Sequence, residues 1–263
     1  MLGCPRNQFL PPLLSFRLLT LDSPLLTPDM HICLLDIDGT LVLTGGAGQI
    51  AFAQTLAADF GIAEISEDVD FAGRSDRAIV ADLFRHHGVE PSDENWQRFC
   101  RGYLSQLDAA LVAHQGQVLP GVGALLEALA DRGDVAIGLL TGNVREGARR
   151  KLAHFDLWHW FPFGGFGDDY EERCDIAAAA LAAAKLHLSG QASTAMASGS
   201  DSNHGEVIVI GDTPNDIRCG RSIGARCVAV ATGHTSSDTL RGGNPDVLLD
   251  TLEDIAPILA LMA

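Results

Sequence analysis

Lysine is nearly absent. Of the 18 basic residues only Lys151 and Lys185 are lysines, so any grip on an anion falls mainly to arginine. Positive charge is scarce altogether: 34 acidic residues against 18 basic ones leave a formal charge of −16, the opposite of what neutralising the phosphates of DNA or RNA requires. A nucleic-acid partner is excluded on that ground. No uninterrupted apolar run reaches the ~18 residues needed to span a bilayer. The six cysteines, Cys4, Cys33, Cys100, Cys174, Cys219 and Cys227, show no metal-ligand spacing and read as reduced thiols of a cytoplasmic protein. What the chain does have is apolar material: 47% hydrophobic and 20% charged residues are enough for a core and rule out a disordered polyelectrolyte. Its 263 residues suit one large domain or two modest ones.

Residues 1–29 are rich in proline and leucine without helical periodicity. Arg6, Arg17 and two aspartates interrupt any secretory core, and Met30 stands directly before the first convincing strand. We read 1–29 as a flexible extension or an upstream start. From His31 a repeated layout begins. Apolar runs at Ile32–Leu35, Val135–Leu140, Val207–Ile210 and Ala225–Ala231 each end in small polar residues. Helical patterns at Val122–Arg132, Arg145–His154, Cys174–Leu188 and Pro214–Ile223 lie between them. Strands alternating with helices predict an α/β fold, a parallel sheet with helices on both faces and polar residues gathered at the strands' carboxyl ends. Residues 45–118 break this rhythm with helical patterns at Gln49–Phe60, Arg74–His87 and Glu94–Val112, and read as a helical insert after the first strand. Pro120-Gly121 restarts the main domain, so 30–44 and 119–263 form one unit, with a Ser/Ala/Gly-rich flexible loop at 189–205.

Asp36 and Asp38 close the first strand two residues apart, and two carboxylates that close repel unless a cation or a shared proton intervenes. An isolated Asp-x-Asp reads as a solvated turn. Here Asp212 and Asp216 occupy the same place after another strand, and carboxylates converging on one sheet edge call for a counter-ion such as Mg²⁺. Gly39 and Thr40 would let backbone amides approach a phosphoryl group, unless the glycine serves an ordinary turn. Thr141, with Gly142 and Asn143, either offers a hydroxyl and amides to that edge or caps the next helix. The histidines read differently: His86 and His87 suit a helix C-terminus, and His154 and His159 pack or face solvent rather than bind metal.

Four stretches in order carry a resemblance: Asp36-Ile37-Asp38-Gly39-Thr40, Leu139-Leu140-Thr141-Gly142-Asn143, a cation at Arg173, and Gly211-Asp212-Thr213-Pro214-Asn215-Asp216. Together they resemble the capped phosphatases of the haloacid dehalogenase superfamily, such as phosphoglycolate phosphatase. The resemblance covers about residues 32–262 and implies a Rossmann-like core with a helical cap inserted after the first strand. It further implies that Asp36 attacks phosphorus to form an aspartyl phosphate and that Asp38 serves as acid and then base. Asp36, Asp212 and the carbonyl of Asp38 would hold Mg²⁺. Thr141 and Arg173 would complete the catalytic group, with Gly39, Thr40, Gly142 and Asn143 on the phosphoryl and Asp216 behind the metal. Arginine at 173 departs from the family's commoner lysine, and Lys185 is its rival. Phe71-Ala72-Gly73-Arg74-Ser75-Asp76 resembles the cap's substrate loop, in which Arg74 binds a second anion of the substrate or pairs with Asp76 or Asp70. The expected activity is Mg²⁺-dependent hydrolysis of a small phosphorylated metabolite, with phosphoglycolate the leading guess and no membrane partner. The alternatives are a phosphosugar mutase of the same superfamily and a non-catalytic phosphate-binding regulator.

Overall fold

Each apolar run between a helix and a polar turn becomes a strand, because continuous hydrophobicity over four to six residues satisfies a sheet covered on both sides. The computed structural model describes residues 30–65, 69, 71–192 and 204–263. The expectation for 1–29 falls outside that range. In chain order the elements are β1 (His31–Leu35), β2 (Val42–Leu43), α1 (Ala47–Phe60), α2 (Asp76–His86), α3 (Asp93–Ala113), β3 (Gln117–Val118), α4 (Val122–Asp131) and β4 (Val135–Leu140). There follow α5 (Arg145–His154), a 3₁₀ turn at Trp158–Trp160, β5 (Gly164–Gly165), α6 (Arg173–Ala192), β6 (Val207–Gly211), α7 (Pro214–Ser222), β7 (Arg226–Val230), α8 (Ser237–Gly242), β8 (Val247–Leu249) and α9 (Ala256–Ala260).

Six strands form a parallel sheet in the order β5-β4-β1-β6-β7-β8. The chain runs outward from β1 to β5 on one side and returns to fill the other from β6. That makes the gap between β1 and β6 the switch point, where open α/β sheets place their ligands. Along β1 the pleat divides one apolar run between two cores. Cys33 and Leu35 join Leu125, Leu129 and Leu152 on one face, while Ile32 and Leu34 join Ile176, Ala180 and Cys219 on the other. Each fully buried Leu or Ile contributes about 1.5–3 kcal/mol, and all four of these strand residues are inaccessible to solvent. Gly138 of β4 is required by packing, since a side chain there would run into the ring of Phe163.

Of the expected flexible loop 189–205 only the two ends are described, and the first of them is helical. Ser189–Ala192 continue α6, whose alanine-rich sequence favours the helix, and the Gly205 N–H donates to the Met30 carbonyl at 3.0 Å beside the first strand. The intervening 193–203 lie outside the described residues. The helices between β2 and β3 have a separate apolar centre in which Phe52, Phe84, Phe99 and Tyr103 meet Leu56, Leu83 and Leu107. Rings of Phe52 stand edge-on to Phe99 and Tyr103 at 4.8 and 4.9 Å. The two chain crossings into this insert are tied to each other: β2 and β3 pair antiparallel, Val42 opposite Val118 and Leu43 opposite Gln117.

Candidate active site

The register of the sheet puts the polar strand ends side by side. Leu35 of β1 lies opposite Leu139 of β4 and Ile210 of β6, so Asp36, Thr141 and Asp212 emerge on neighbouring strands within a residue or two of the same level. The Asp36 N–H donates to the Ile210 carbonyl at 3.0 Å and fixes this alignment. One carboxylate oxygen from each of Asp36, Asp212 and Asp216 lies within 4.8 Å of the others. A single guanidinium faces the three: Arg173 Nη2 is 3.0 Å from Asp36 and 2.5 Å from Asp216. Fully ionised, the cluster would be left with two negative charges. Burial pushes the Asp36 carboxyl up, with Arg173 opposing and Asp216 adding to it; burial likewise pushes Asp212 up, aided by the charges of Asp216 and Asp36.

Asp216 is committed elsewhere. Its Oδ2 accepts from the backbone N–H of Thr213 at 2.9 Å and from the Thr213 hydroxyl at 2.7 Å, while the Thr213 hydroxyl accepts from the Asp216 N–H, a capping box that starts α7. Pro214 at the first helical positions lacks the N–H that would otherwise go unpaired there. Asp36 and Asp212 are therefore the pair with oxygen lone pairs to spare for a hard divalent cation. Two close glycine approaches keep Asp212 in place. Gly39 turns with φ +83°, and a Cβ at Gly39 or Gly233 would collide with the Asp212 carboxylate.

A second acidic centre lies beside the first. Oδ2 of Asp38 accepts from Lys151 Nζ at 2.7 Å and from Asn143 Nδ2 at 2.8 Å, and Lys151 also donates to Asn143 Oδ1 at 2.6 Å. Thr141 Oγ1 accepts from Asn143 Nδ2 at 2.8 Å, which leaves the hydroxyl proton of Thr141 to donate. Burial alone would depress the Lys151 ammonium; the Asp38 carboxylate more than reverses this, with Tyr103 and Asp76 acting in the same sense, and holds it above its ordinary value.

These residues line a cavity of about 520 Å³ between the sheet edge and the insert, together with Gly39, Gly142, Arg74, Tyr103 and His234. Thr40 sits just behind, its hydroxyl 3.5 Å from Asp212. Arg74 reaches the cavity from the insert with its Nη2 bound to Asp82 at 2.6 Å; Asp70, one of its two expected partners, lies outside the described residues. Asp76 instead turns inward, accepting from the Val144 N–H at 2.8 Å, while its own N–H donates to the Gly142 carbonyl at 2.7 Å. The insert loop is thereby seated on the Thr141–Asn143 turn.

Of the two cations weighed for position 173, Lys185 is ruled out by placement: it is exposed on α6, three turns beyond the site, whereas Arg173 is buried against Asp36. Lys151 was not among the expected site residues. The signal for it is the stripe Gly147, Ala148, Lys151, Leu152, the buried face of α5, where a lysine breaks an otherwise apolar row. Tyr103 gives no such signal, because an aromatic on the apolar face of a helix reads as core.

With this geometry established, residues 33–230 match the haloacid dehalogenase-like hydrolase family. The chain belongs to the haloacid dehalogenase-like hydrolases. Its curated relatives include the phosphoglycolate phosphatase of Pectobacterium atrosepticum, 26% identical over 234 residues that cover 85% of this chain and 90% of that protein. The phosphoglycolate phosphatase of Synechococcus elongatus is 28% identical over 231 residues, covering 86% and 95%. Among solved structures, a hydrolase from Pseudomonas syringae superposes with a TM-score of 0.64 at 22% identity, covering 89% of this chain and 99% of that one. CbbY from Rhodobacter sphaeroides in complex with phosphate gives 0.63 at 19%, covering 86% and 96%. At these identities the structural likenesses establish the fold. This hydrolase has, among its described residues, no helix long and apolar enough to cross a membrane.

Proposed function

We propose that the protein is a metal-dependent phosphomonoesterase acting on a small organic phosphate through an aspartyl-phosphate intermediate, with the insert, residues 45–118, as a cap over the site. One observation carries this reading: Asp36 and Asp212 meet at the switch point in a cluster of three buried carboxylates with a single guanidinium beside them, an excess of acid that resists ionising without a further cation. A site so charged repels a phosphate ester until a divalent cation joins it. Asp36, Asp212 and the backbone carbonyl of Asp38 fit Mg²⁺, which takes oxygen ligands and commonly one or two carboxylates plus substrate phosphate. When bound, the ion supplies charge neutralisation between an anionic nucleophile and an anionic ester.

The chain's own groups divide the remaining work. Asp36 needs no proton removed to act as nucleophile once its charge is compensated. Arg173 Nε is buried without a hydrogen-bond partner among the described residues, an orphan donor next to Asp36 that a phosphoryl oxygen would satisfy. The Thr141 hydroxyl and the Gly142 amide offer further donors, whereas the expected amides of Gly39, Thr40 and Asn143 already donate, to the Val42 carbonyl at 2.9 Å, the Ile37 carbonyl at 3.3 Å and Thr141 Oγ1 at 3.3 Å. Asp38 gives its proton to the leaving oxygen and takes one from the water that follows. Arg74 meets the organic part of the substrate only in competition with Asp82.

The family match, the phosphatase relatives and the cavity's modest size together favour a small ester, with phosphoglycolate the first substrate to try. A panel of phosphorylated metabolites assayed with Mg²⁺ and with chelator tests the reading. Release of inorganic phosphate that requires Mg²⁺ is the expected result. Transfer of the phosphoryl group to a second sugar hydroxyl would identify a mutase, and no turnover of any ester would favour a binding protein.

A further inference from the structure

Two donors from different elements converge on one oxygen of Asp38. Lys151 comes from the middle of α5 and Asn143 from the turn before it, and both bond Oδ2, at 2.7 and 2.8 Å. Oδ1 of the same carboxylate has no hydrogen-bond or ion-pair partner among the described residues, and the side chain is 41% exposed toward the cavity. The bond from Lys151 to Asn143 Oδ1 closes the triangle and fixes which way the amide faces, because an inverted amide would set an NH₂ against an ammonium. Lys151 itself is buried under the insert, close to the Gly48 backbone of α1, so its position depends on how the insert sits.

We propose that Lys151 is a positioning residue that holds Oδ2 of Asp38 and thereby dedicates Oδ1 to proton transfer with the leaving group. The proposal rests on the phosphomonoesterase reading above. In the step concerned, an Asp36 oxygen bonds to phosphorus while the bond from phosphorus to the leaving oxygen breaks, its electron pair staying on that oxygen. Oδ1 of Asp38, open to the cavity, takes up a proton from solvent before the step and passes it to the same oxygen, which leaves as a neutral alcohol while Asp38 returns to the carboxylate. Without Lys151 the carboxyl turns about its Cβ–Cγ bond, and Oδ1 is presented to the leaving oxygen only part of the time.

A leaving-group comparison tests this, because an alkoxide needs the proton and a nitrophenolate does not. Lys151→Met should lower kcat on an alkyl phosphate by about 100-fold and on p-nitrophenyl phosphate by less than about 5-fold, with KM changed little for either. In an Asp38→Asn background the same substitution should add no more than about a further 2-fold loss on the alkyl ester. Asn143→Ala, which removes the other donor to Oδ2, should show the same leaving-group dependence. Equal losses on both esters, or full additivity with Asp38→Asn, overturn the positioning role while leaving the phosphatase reading intact. Wild-type protein inert toward both esters overturns both. If neither variant folds, Lys151 and Asn143 serve the fold, and the proposal falls.

Discussion

The two acidic centres of the cavity stand side by side at the same sheet edge and are balanced in opposite ways. Around Asp36, Asp212 and Asp216 a single guanidinium answers three carboxylates. Around Asp38 a buried ammonium answers one, with an amide to complete the bonding. The first centre is short of positive charge and draws it from outside the chain; the second has a cation of its own and leaves Oδ1 of Asp38 open to the cavity. The contrast shows that acidity at a strand end does not by itself mark a metal site. What marks it is the charge left after the neighbouring cations and helix caps have been counted, and Asp216, spent on Arg173 and on capping α7, illustrates the subtraction.

The sharpest way to break the comparison is to remove the nucleophile from the first centre. Asp36→Asn should cut kcat by about 10⁴-fold or more, as loss of a covalent nucleophile does. Thermal unfolding should show the fold retained, because Arg173 keeps Asp216 as a partner and one buried charge has gone. Residual turnover within ten-fold of wild type, at the precision of such a difference measurement, would place the chemistry elsewhere.

Next in size is the effect of the cation itself. Mg²⁺ at about 100 times its dissociation constant should stabilise the wild type by about 2.7 kcal/mol, and Asp212→Asn should remove most of that gain. Thermal melts with and without Mg²⁺ check it independently of activity. Lys151→Met should leave the gain in place, since the second centre supplies its own charge; loss of the Mg²⁺ response in that variant would merge the two centres into one.

Much of this site is legible in the sequence because strand ends are legible. Asp36, Thr141 and Asp212 each follow an apolar run, and the register that brings them level follows from parallel pairing of those runs. Helix α5 begins and ends where its periodicity does, at Arg145 and His154. The misses share a cause, which is that the responsible contacts are tertiary. β5 is two glycines beside β4, where a side chain would run into Leu139 or the Ile176 carbonyl, and half-buried β8 carries too short an apolar run to announce itself. Lys151 hides for the opposite reason. A lysine in a helix reads as solvated, and only the approach of Asp38 from another strand turns it inward.

The smallest effect concerns the seam between insert and sheet edge, where Asp76 is buried against the Val144 N–H and burial pushes its carboxyl up to about 7 despite the opposing charge of Lys151. An unfolded chain would ionise this group near pH 4. Between those values the folded state holds the extra proton, so stability falls as pH rises through the window and levels off above it. Asp76→Asn keeps a neutral side chain and a carbonyl for Val144. With Mg²⁺ saturating, so that Asp36 and Asp212 do not add their own slope, wild-type Tm should decline from pH 5 to 8 more steeply than that of the variant. By pH 8 the variant should melt a few degrees higher, the shift expected from about 1 kcal/mol in a chain of this size. Parallel Tm curves would mean that Asp76 is ionised in the fold throughout and that Lys151 compensates it as well as Asp38, which would tie the seam electrostatically to the second centre.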